Sequence, residues 1–417
     1  MVGHRQSPRL RFRSLPQSGA LGLWVLIGCA LCACSSNSAT TPTPIVTATP
    51  TATSSSTATP TASPSPTPAP DSFRATAGSM TQARIGASLA DLSATQVLIA
   101  GGFDNELAPL AEADIYTTSK NFFTTTETPL IQERYLAASV TLPNGTVLIA
   151  GGIGGNGVVL NSAEIYDPTT GVFRLTGTNM SDSRYGAGAA LLPDGQVLIA
   201  GGVDANNNYL ASADLYDPAS DSFTASTSAL STARQYATAT LLTNGQVLIA
   251  GGFGALTGGL NSADLYDPAA DTFTASAGQM SNSRCGAAAT SLANGDVLIA
   301  GGEDCTGTSL NTADLYNPTA DSFTPSSSRL SDARAWAATV ALANGKILIA
   351  GGNDLNGPTA TADLYDPATN SFVASKGAMS DARAYAVATL LSNGRALIAG
   401  GLNSAGEILS SADLYYP

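Results

Sequence analysis

The chain is built on a short apolar run that ends in two glycines and returns at a fixed spacing. The run Val197–Gly202 reads Val-Leu-Ile-Ala-Gly-Gly. Near-copies start fifty residues apart, the last after forty-nine, at Val97, Val147, Val247, Val297, Ile347 and Ala396. Four consecutive apolar residues predict a strand buried on both faces, and the glycines predict a sharp exit or a close backbone approach. Seven copies at one period indicate a repeat architecture, in which neighbouring repeats cover both faces of each strand.

One full repeat divides into four predicted strands. Strand a is 185–192, strand b is 196–200, strand c is 213–216, and strand d carries Phe223. Strand a is rich in glycine and alanine, so we expect it to lie innermost, where the repeats converge and only small side chains fit. Four antiparallel strands in about fifty residues predict a propeller blade.

Turn residues support this division. Asn-Gly or Asp-Gly stands between strands a and b in six repeats, and we expect type I′ turns there. The six pairs begin at Asn144, Asp194, Asn244, Asn294, Asn344 and Asn393; the first repeat has Ser93-Ala94 instead. Asp-Pro or Asn-Pro closes the c–d hairpin in five repeats, because proline presets the φ angle of the turn.

The two ends of the repeat region are complementary. Asp71-Ser72-Phe73 reads as a strand d with no blade before it, and Ala412–Tyr415 reads as a strand c with no strand d after it. We therefore predict an all-β, seven-bladed propeller of four-stranded antiparallel blades, closed by the N-terminal strand joining the last blade. Such closure removes the exposed edges that an open array would present.

These residues resemble the kelch repeat, over 71–417. The resemblance is carried by the arginine that opens strand a, the apolar strand ending in Gly-Gly, and a Tyr-Asp-Pro segment followed by an aromatic residue. The strand-d aromatic departs from the usual kelch tryptophan and is phenylalanine: Phe173, Phe223, Phe273, Phe323 and Phe372. The resemblance implies a propeller; some kelch propellers are sugar mutarotases and others are copper radical oxidases, so it leaves the activity open.

The N-terminal segment predicts export and lipid anchoring. Residues 1–33 are basic and then apolar, too short to span a bilayer as an ordinary helix, and end in a tetrad resembling a bacterial lipoprotein cleavage box with Cys34 as the lipidated residue. A rival box ends at Cys29, and ordinary signal cleavage without a lipid is the alternative. Residues 34–70, rich in Ser, Thr and Pro, predict a disordered linker. We expect an extracytoplasmic protein of the bacterial cell envelope, at the outer membrane or cell surface, attached to the membrane by the anchor only.

Charge and histidine content exclude several classes of function. The net charge is −13, and loss of the four arginines of the predicted signal peptide takes it to −17. An acidic surface repels phosphate backbones, so we expect no nucleic-acid partner. The single histidine, His4, lies in the same removable segment. The mature chain therefore cannot form a Ser-His-Asp triad, a histidine metal site or the histidine ligands of a copper radical oxidase.

The d–a and b–c loops vary and share one face of the predicted propeller, whereas the a–b and c–d turns are uniform. Variable loops on a rigid scaffold are where binding residues concentrate. Seven arginines open strand a there, and they form either an anion collar or structural pairs with the acids of strand c. The arginines are Arg84, Arg134, Arg184, Arg234, Arg284, Arg334 and Arg383; the acids are Asp114, Glu164, Asp214, Asp264, Asp314, Asp363 and Asp413.

Aromatic residues follow several of these arginines: Tyr135, Tyr185, Tyr236, Trp336 and Tyr385. At a channel mouth they could stack on a sugar or clamp a peptide; packing between blades is the alternative. We expect a disulfide between Cys285 and Cys305, mainly because an even pair of cysteines in an oxidising compartment favours one. A two-residue turn at Asn294-Gly295 would also place Cys285 opposite Asp304, next to Cys305 and within disulfide range. Asp204-x-Asn206-x-Asn208 matches only the first half of a calcium loop, so we expect no metal site and no cofactor.

The sequence favours a non-enzymatic binding scaffold, a monomer that recognises a protein, peptide or glycan through the variable loop face. A mutarotase-like enzyme using arginine and acidic residues and a passive adhesion module are the alternatives.

Overall fold

The computed structural model describes residues 69–255, 258–304 and 306–417. The predicted signal peptide, Cys34 and nearly all of the predicted linker lie outside the described residues. The described part is all-β, with seven four-stranded antiparallel sheets arranged as the blades of a propeller, which confirms the predicted fold. Its helical structure is a 3₁₀ turn at Gly155–Gly157. Within this part, no helix combines the length and apolar character needed to span a membrane.

Each blade contributes one strand at each of four positions, from the axis outwards. Strands a are β2 (Ser88–Ser93), β6 (Ala138–Thr141), β10 (Gly188–Leu191), β14 (Thr238–Leu241), β20 (Ala288–Ser291), β24 (Ala338–Ala341) and β30 (Val387–Leu390). Strands b are β3 (Gln96–Ala100), β7 (Val147–Ala150), β11 (Val197–Ala200), β15 (Val247–Ala250), β21 (Val297–Ala300), β25 (Ile347–Ala350) and β31 (Ala396–Ala399). Strands c are β4 (Ala113–Thr117), β8 (Ala163–Asp167), β12 (Ala213–Asp217), β18 (Ala263–Asp267), β22 (Ala313–Asn317), β28 (Ala362–Asp366) and β32 (Ala412–Tyr416). Strands d are β5 (Phe122–Thr125), β9 (Val172–Leu175), β13 (Ser222–Ala225), β19 (Thr272–Ala275), β23 (Ser322–Pro325), β29 (Ser371–Ala374) and β1 (Ser72–Ala75). Two b–c loops carry small hairpins: β16 (Phe253–Gly254) with β17 (Gly258–Gly259), and β26 (Asn353–Asp354) with β27 (Gly357–Pro358). The blades are numbered 1 to 7 in the order of their strands a.

The apolar run of strand b is buried on both faces, as its pattern predicts. In blade 3, Val197 and Ile199 pack against blade 2, in a cluster with Leu148. Leu198 alternates to the other face and packs in a cluster with Val247 and Ile249 of blade 4. The core therefore consists of layers between successive blades, and strands a of neighbouring blades lie against one another around the whole ring.

The propeller is closed by its two ends. Strand β1 pairs antiparallel with β32, with Phe73 opposite Tyr415, and supplies the outer strand of blade 7. The two rings lie 4.9 Å apart between centroids, the same distance as Phe223 and Tyr216 in blade 3. This confirms the predicted closure, and it shows the strand-d phenylalanine packing on the strand-c tyrosine.

The a–b turns differ from the expected two-residue type I′ turns. In blade 3 the Leu192 amide donates to the Gln196 carbonyl at 2.8 Å, which leaves three residues in the loop. Only the third, Gly195, has positive φ (88°). Asp194 instead accepts the Gln196 amide on Oδ1 at 3.0 Å. The arrangement is that of a three-residue hairpin with an αL glycine, so the Asn or Asp at this position is favoured as a side-chain acceptor and not for positive φ.

The Gly-Gly pair that ends strand b permits a close approach between blades. A Cβ on Gly201 would lie 2.4 Å from the carbonyl oxygen of Arg234 in the next blade. The Gly202 amide donates to that same oxygen at 2.8 Å. Any side chain at Gly201 would break this contact, which explains the glycine at the end of every strand b.

Candidate functional site

The seven strand-a arginines are internal and their guanidinium groups are bonded within the fold. Arg184 Nη1 donates to the carbonyls of Gly201 and Ser212 at 2.8 and 3.0 Å, and Nη2 pairs with Asp214 Oδ2 at 2.7 Å. All seven are 0–1% exposed. The equivalent ion pairs are Arg84–Asp114, Arg134–Glu164, Arg234–Asp264, Arg284–Asp314, Arg334–Asp363 and Arg383–Asp413.

The expectation that these arginines bind a ligand is therefore corrected, because no guanidinium is open to solvent. The alternative, structural pairing with the strand-c acids, is the arrangement found. Each acid also holds the d–a loop: Asp214 accepts the Ser181 amide on Oδ1 at 2.9 Å and the Ser181 hydroxyl on Oδ2 at 3.0 Å. The pairs fix the loops of this face to the blades, and burial lowers the pKa of Arg184 against the opposing effect of Asp214.

The aromatic residues that follow the arginines form two sets. Tyr135 and Tyr185 come directly after their arginines and pair in isolated β-bridges with Ile153 and Val203. Tyr236, Trp336 and Tyr385 come one residue later, with φ of 54°, 59° and 57°. Such values are strained for bulky residues, and strain of this kind concentrates at functional sites.

The second position after each arginine has positive φ in every blade. We call these residues the axial ring: Gly86, Leu136, Gly186, Tyr236, Gly286, Trp336 and Tyr385. Backbone hydrogen bonds join neighbouring members. The amide of Leu136 donates to Gly86, Gly186 to Leu136, Tyr236 to Gly186, Trp336 to Gly286, and Tyr385 to Trp336, at 2.8–3.1 Å. These bonds connect the innermost backbone of blades 1 to 4 and, separately, that of blades 5 to 7.

Small and large residues alternate around the axial ring. A Cβ on Gly186 would lie 2.7 Å from the Tyr236 ring, and one on Gly286 would lie 2.5 Å from the Trp336 ring. Tyr236 and Trp336 thus each lie over the glycine of the preceding blade. Seven positions cannot alternate perfectly, so two large residues, Trp336 and Tyr385, are neighbours, and their rings stack at 5.1 Å with 25° between planes.

Tyr236 lies where the blades meet. Its ring contacts Trp336 of blade 6 edge-on, with centroids 4.9 Å apart, although Tyr236 belongs to blade 4. Burial raises its pKa well above the usual value, and Tyr185, Tyr385 and Tyr135 act in the same direction. The Tyr236 phenol thus interacts with residues of blades 2, 3, 6 and 7, which places it at the axis. We call Tyr135, Tyr185, Tyr236, Trp336 and Tyr385 the axial aromatic cluster; each is half-buried.

Glu303 and Cys285 complete the site. The two residues pair in an isolated β-bridge of blade 5, where Cys285 precedes strand a and Glu303 follows strand b. The Cys285 thiol donates to Glu303 Oε1 at 3.3 Å. Burial raises the pKa of the Glu303 carboxyl, while hydrogen bonds from Cys285 and Trp336 oppose that rise. Glu303 also acts electrostatically on Tyr385. A half-buried carboxylate therefore lies beside the axial aromatic cluster.

This register corrects the geometry expected for the cysteines. Because the a–b loop has three residues, Cys285 lies opposite Glu303 and not opposite Asp304. The expected alignment of Cys285 with Asp304 is therefore wrong, and among the described residues Cys285 is a buried thiol without a disulfide partner. Cys305 itself lies outside the described residues.

A cavity of about 330 Å³ lies among strands a of blades 4 to 7. Its walls are alanine and threonine: Thr238, Ala239, Thr240, Ala287, Ala288, Ala289, Ala337, Ala338, Thr339, Ala386 and Ala388. These are the small residues expected where blades converge. In the sequence of each of these blades, they come shortly after the axial-ring residue.

The b–c loops of several blades are closed by their own acidic or amide side chains. Asp204 Oδ1 accepts the amides of Asn206 and Asn208, both at 2.8 Å, and these bonds lower the pKa of Asp204. The segment that half-matches a calcium loop is thus a side-chain-capped turn. Within residues 69–255, 258–304 and 306–417, no group of three His, Cys, Asp or Glu side chains could hold a metal ion.

Acidic residues dominate the face that carries these loops. We define the loop face as the b–c loops together with the five residues before each strand-a arginine. Its described acids are Asp104, Glu106, Glu112, Glu133, Asp182, Asp204, Glu303, Asp304, Asp332, Asp354, Asp381 and Glu407. Its described base is Arg329.

Sequence reasoning overlooked the axial ring and Glu303. A signal for the ring was present: the second residue after each arginine reads Gly, Leu, Gly, Tyr, Gly, Trp, Tyr in chain order. Glu303 follows the Gly-Gly of blade 5, where other blades have Phe, Ile, Val, Phe, Asn or Leu. A carboxylate at an otherwise mostly apolar position was the second signal.

Comparison with known proteins supports the fold. The model of the Kelch motif matches residues 134–179. No curated protein matches the chain. A solved structure described as a novel fungal alcohol oxidase with catalytic diversity among the AA5 family, in complex with copper, is similar with a TM-score of 0.62 and 16% identity. The match covers 83% of this chain and 75% of that one.

At this identity the likeness concerns the fold alone. The described residues contain no histidine and no cluster of three His, Cys, Asp or Glu side chains that could hold a metal ion, so they do not fit the copper of that oxidase. One repeat matches the Kelch motif, and the same four strands, buried arginine and Gly-Gly pair recur in all seven blades. The chain is a kelch-repeat β-propeller of seven blades.

Proposed function

We propose that this protein is a binding scaffold whose loop face recognises a partner over the axial aromatic cluster. The observation that carries the proposal is the convergence of half-buried aromatic side chains from five blades at the axis, three of them on strained backbone. Aromatic rings offer large contact area with little loss of conformational entropy on binding. The fully buried arginine–acid pairs beneath them keep the loops rigid, which lowers the entropic cost of association.

Exposed apolar side chains on the loop face favour a protein or peptide as the partner. Ile131 and Val158 are each 55% exposed, and Leu355 is 76% exposed. Ile131 and Val158 lie in two loops of blade 2, and Leu355 lies in the b–c loop of blade 6. A partner that covers the cluster can bury them as well, adding about 25 cal/mol for each Å² of apolar surface removed from water.

The chain contains its own reporter for this proposal. Its two tryptophans are Trp24 and Trp336. In a full-length Trp24→Phe protein, Trp336 is the sole source of tryptophan fluorescence. Ligands selected on peptide and glycan arrays are titrated while the Trp336 emission is recorded. A saturable change supports binding at the axis.

Two variants and one control decide whether the axial aromatic cluster is responsible. Tyr185→Ala and Trp336→Ala are expected to abolish array binding. Phe122→Ala is the matched control, because Phe122 is an exposed aromatic residue, at 47%, on the outer strand of blade 1. Binding that survives both cluster variants, or that Phe122→Ala removes equally, would contradict the proposal.

We further propose that the propeller is held at the bacterial envelope by a lipid on Cys34. The basic and apolar pattern of residues 1–33 supports this attachment. Metabolic labelling with a radioactive fatty acid is expected to mark the wild-type protein and the Cys29→Ser variant, but not Cys34→Ser. Label retained in Cys34→Ser would show that another residue carries the lipid and would contradict the proposal.

A further inference from the structure

The charge of the loop face restricts what it can bind. Acids outnumber bases there, with Arg329 the described exception, and Arg329 already donates to Asn311 Oδ1 at 3.3 Å. The strand-a arginines do not offset this charge at the surface, since each is buried against its own acid. A face of one sign attracts ligands of the other sign and accelerates their association.

Glu303 gives that attraction a specific position. Its carboxylate is half-buried and accepts from the Cys285 thiol and from Trp336. Among the described residues no lysine or arginine forms an ion pair with it, whereas the buried acids of strand c are all paired. A partly desolvated carboxylate without a counter-charge is costly, so a cation that arrives with a ligand would be strongly favoured there.

The surrounding rings suit a cation equally well. Trp336 contacts both Tyr236 and Tyr385, and it also interacts with the Glu303 carboxyl. Cations are attracted to the faces of tryptophan and tyrosine, and clustered aromatic rings bind ammonium groups in this way. The same rings would bind an uncharged sugar without needing Glu303.

We propose that the ligand of the loop face is a basic peptide, with a lysine or arginine side chain that pairs with Glu303 beside the axial aromatic cluster. This inference rests on the binding function proposed above and names the chemistry of its partner. The acidic loops around the axis engage the remaining basic residues of the peptide. The exposed apolar residues of the loops contact its uncharged positions.

The test compares one lysine-rich peptide with the same peptide acetylated on every lysine. Acetylation removes the charge and leaves the peptide sequence unchanged. Both are titrated into the full-length Trp24→Phe protein with Trp336 emission as the readout, at low and at high salt. We expect the acetylated peptide to bind at least about tenfold more weakly than the unmodified peptide, equivalent to about 1.4 kcal/mol. High salt should lower the affinity of the unmodified peptide, because salt screens the attraction between charges.

Glu303→Gln is the variant that isolates the carboxylate. It is expected to lower the affinity for the unmodified peptide about tenfold, which converts to about 1.4 kcal/mol, and to leave the affinity for the acetylated peptide unchanged. Glu106→Gln is the matched control, because Glu106 is an exposed acid of the same face in the b–c loop of blade 1. We expect Glu106→Gln to alter affinity by less than about twofold, because an exposed charge contributes little.

Three results would overturn the inference. Equal binding of the acetylated peptide would show that charge is not recognised, and this comparison needs no variant protein. Equal losses in Glu303→Gln and Glu106→Gln would reduce the effect to general attraction. A neutral oligosaccharide that binds through Trp336, with no response to the peptide, would refute the basic ligand and leave the binding scaffold intact. If no ligand changes Trp336 emission, the scaffold proposal fails as well.

Discussion

The Tyr415 hydroxyl donates to Asp71 Oδ1 at 2.9 Å, a bond that joins the last strand of the chain to its first across 344 positions. Asp71 also accepts the Ser375 hydroxyl at 2.7 Å and the Lys376 amide at 3.1 Å. In blade 4 the same three bonds reach Asp271 from Tyr266, Ser226 and Thr227. The N-terminal strand thus reproduces in blade 7 the contacts that other blades make within a continuous chain.

The first prediction concerns this closure. Asp71→Ala removes three hydrogen-bond acceptor contacts and is expected to lower the free energy of unfolding by about 2–3 kcal/mol, measured by denaturant unfolding. Deletion of 71–78 removes the outer strand of blade 7 altogether and should lower the melting temperature of the whole propeller.

Asp271→Ala is the control for that prediction, since it removes the equivalent bonds without affecting closure. Hydrogen exchange followed by mass spectrometry distinguishes the two variants. Amides of β1 should lose protection in Asp71→Ala, whereas those of β19 should stay protected in Asp271→Ala. The reason is that a short turn joins β19 to β18 of its own blade, whereas only noncovalent contacts hold β1 on β32. Full protection of β1 in Asp71→Ala would show that the side chain does not secure the closure.

The second prediction concerns the buried ion pairs. Asp214→Asn leaves Arg184 buried without its counter-charge, and breaking a buried pair from one side costs about 3–5 kcal/mol. Chemical denaturation should show a loss of that size. Arg174 and Asp221 form the control pair, 53% and 33% exposed, and Arg174→Ala should cost less than about 1 kcal/mol. Equal costs at the two sites would contradict the framework role assigned to the strand-a arginines.

The third prediction tests the alternation of the axial ring. Gly286→Ala drives a Cβ into the Trp336 ring at a φ of 55° and should destabilise the fold by about 2–3 kcal/mol through overpacking and backbone strain. Gly345→Ala is the strain-only control, because its φ is 81° and nothing lies within 4 Å of the added Cβ. Its cost should be about 1 kcal/mol.

A double-mutant cycle completes this test. In a Trp336→Gly background the steric part of the Gly286→Ala cost should disappear, which leaves a loss similar to that of Gly345→Ala. An unchanged cost in that background would show that Trp336 does not determine the glycine at position 286.

The fold could be predicted from the sequence because the patterns that indicate it are local and repeated. Apolar runs such as Val197–Ala200 and the incomplete blade at each end determine strand order and closure without knowledge of side-chain positions. The turn type was wrong because Asn-Gly occurs in both two- and three-residue hairpins, and the choice depends on how the flanking strands pair. That error of one residue moved the partner of Cys285 from Glu303 to Asp304.

The site was harder to predict because it depends on contacts between blades. Arg184 and Tyr185 are adjacent in sequence, yet the arginine points into the blade and the tyrosine lies at the axis. Tyr236 belongs to blade 4 but contacts Trp336 of blade 6, a relationship that no spacing within one repeat contains. Tyr236, Trp336 and Tyr385 occupy the αL position two residues after their arginines, a conformation that the sequence does not predict for bulky residues.

The fourth prediction concerns pH. Burial raises the pKa of Glu303 in the folded protein above its unfolded value of about 4.3. Its ionisation therefore destabilises the fold: the favourable contribution is complete below the unfolded pKa and is lost as the pH rises through the folded pKa. Glu303→Gln should melt at a higher temperature than the wild type at pH 7, and the difference should vanish near pH 4. A pH-independent difference for Glu303→Gln would contradict the assignment.

The fifth prediction concerns Cys285. Its thiol is 1% exposed, burial raises its pKa, and it donates to Glu303, so the native protein should resist alkylation at this residue at pH 8. In urea without reductant, iodoacetamide should modify Cys285, as peptide mass mapping would show. Failure to modify Cys285 until a reductant is added, together with the same behaviour of Cys305, would instead establish the disulfide that the sequence predicts. Rapid modification of Cys285 in the native protein would contradict the burial on which the geometry of Glu303 depends.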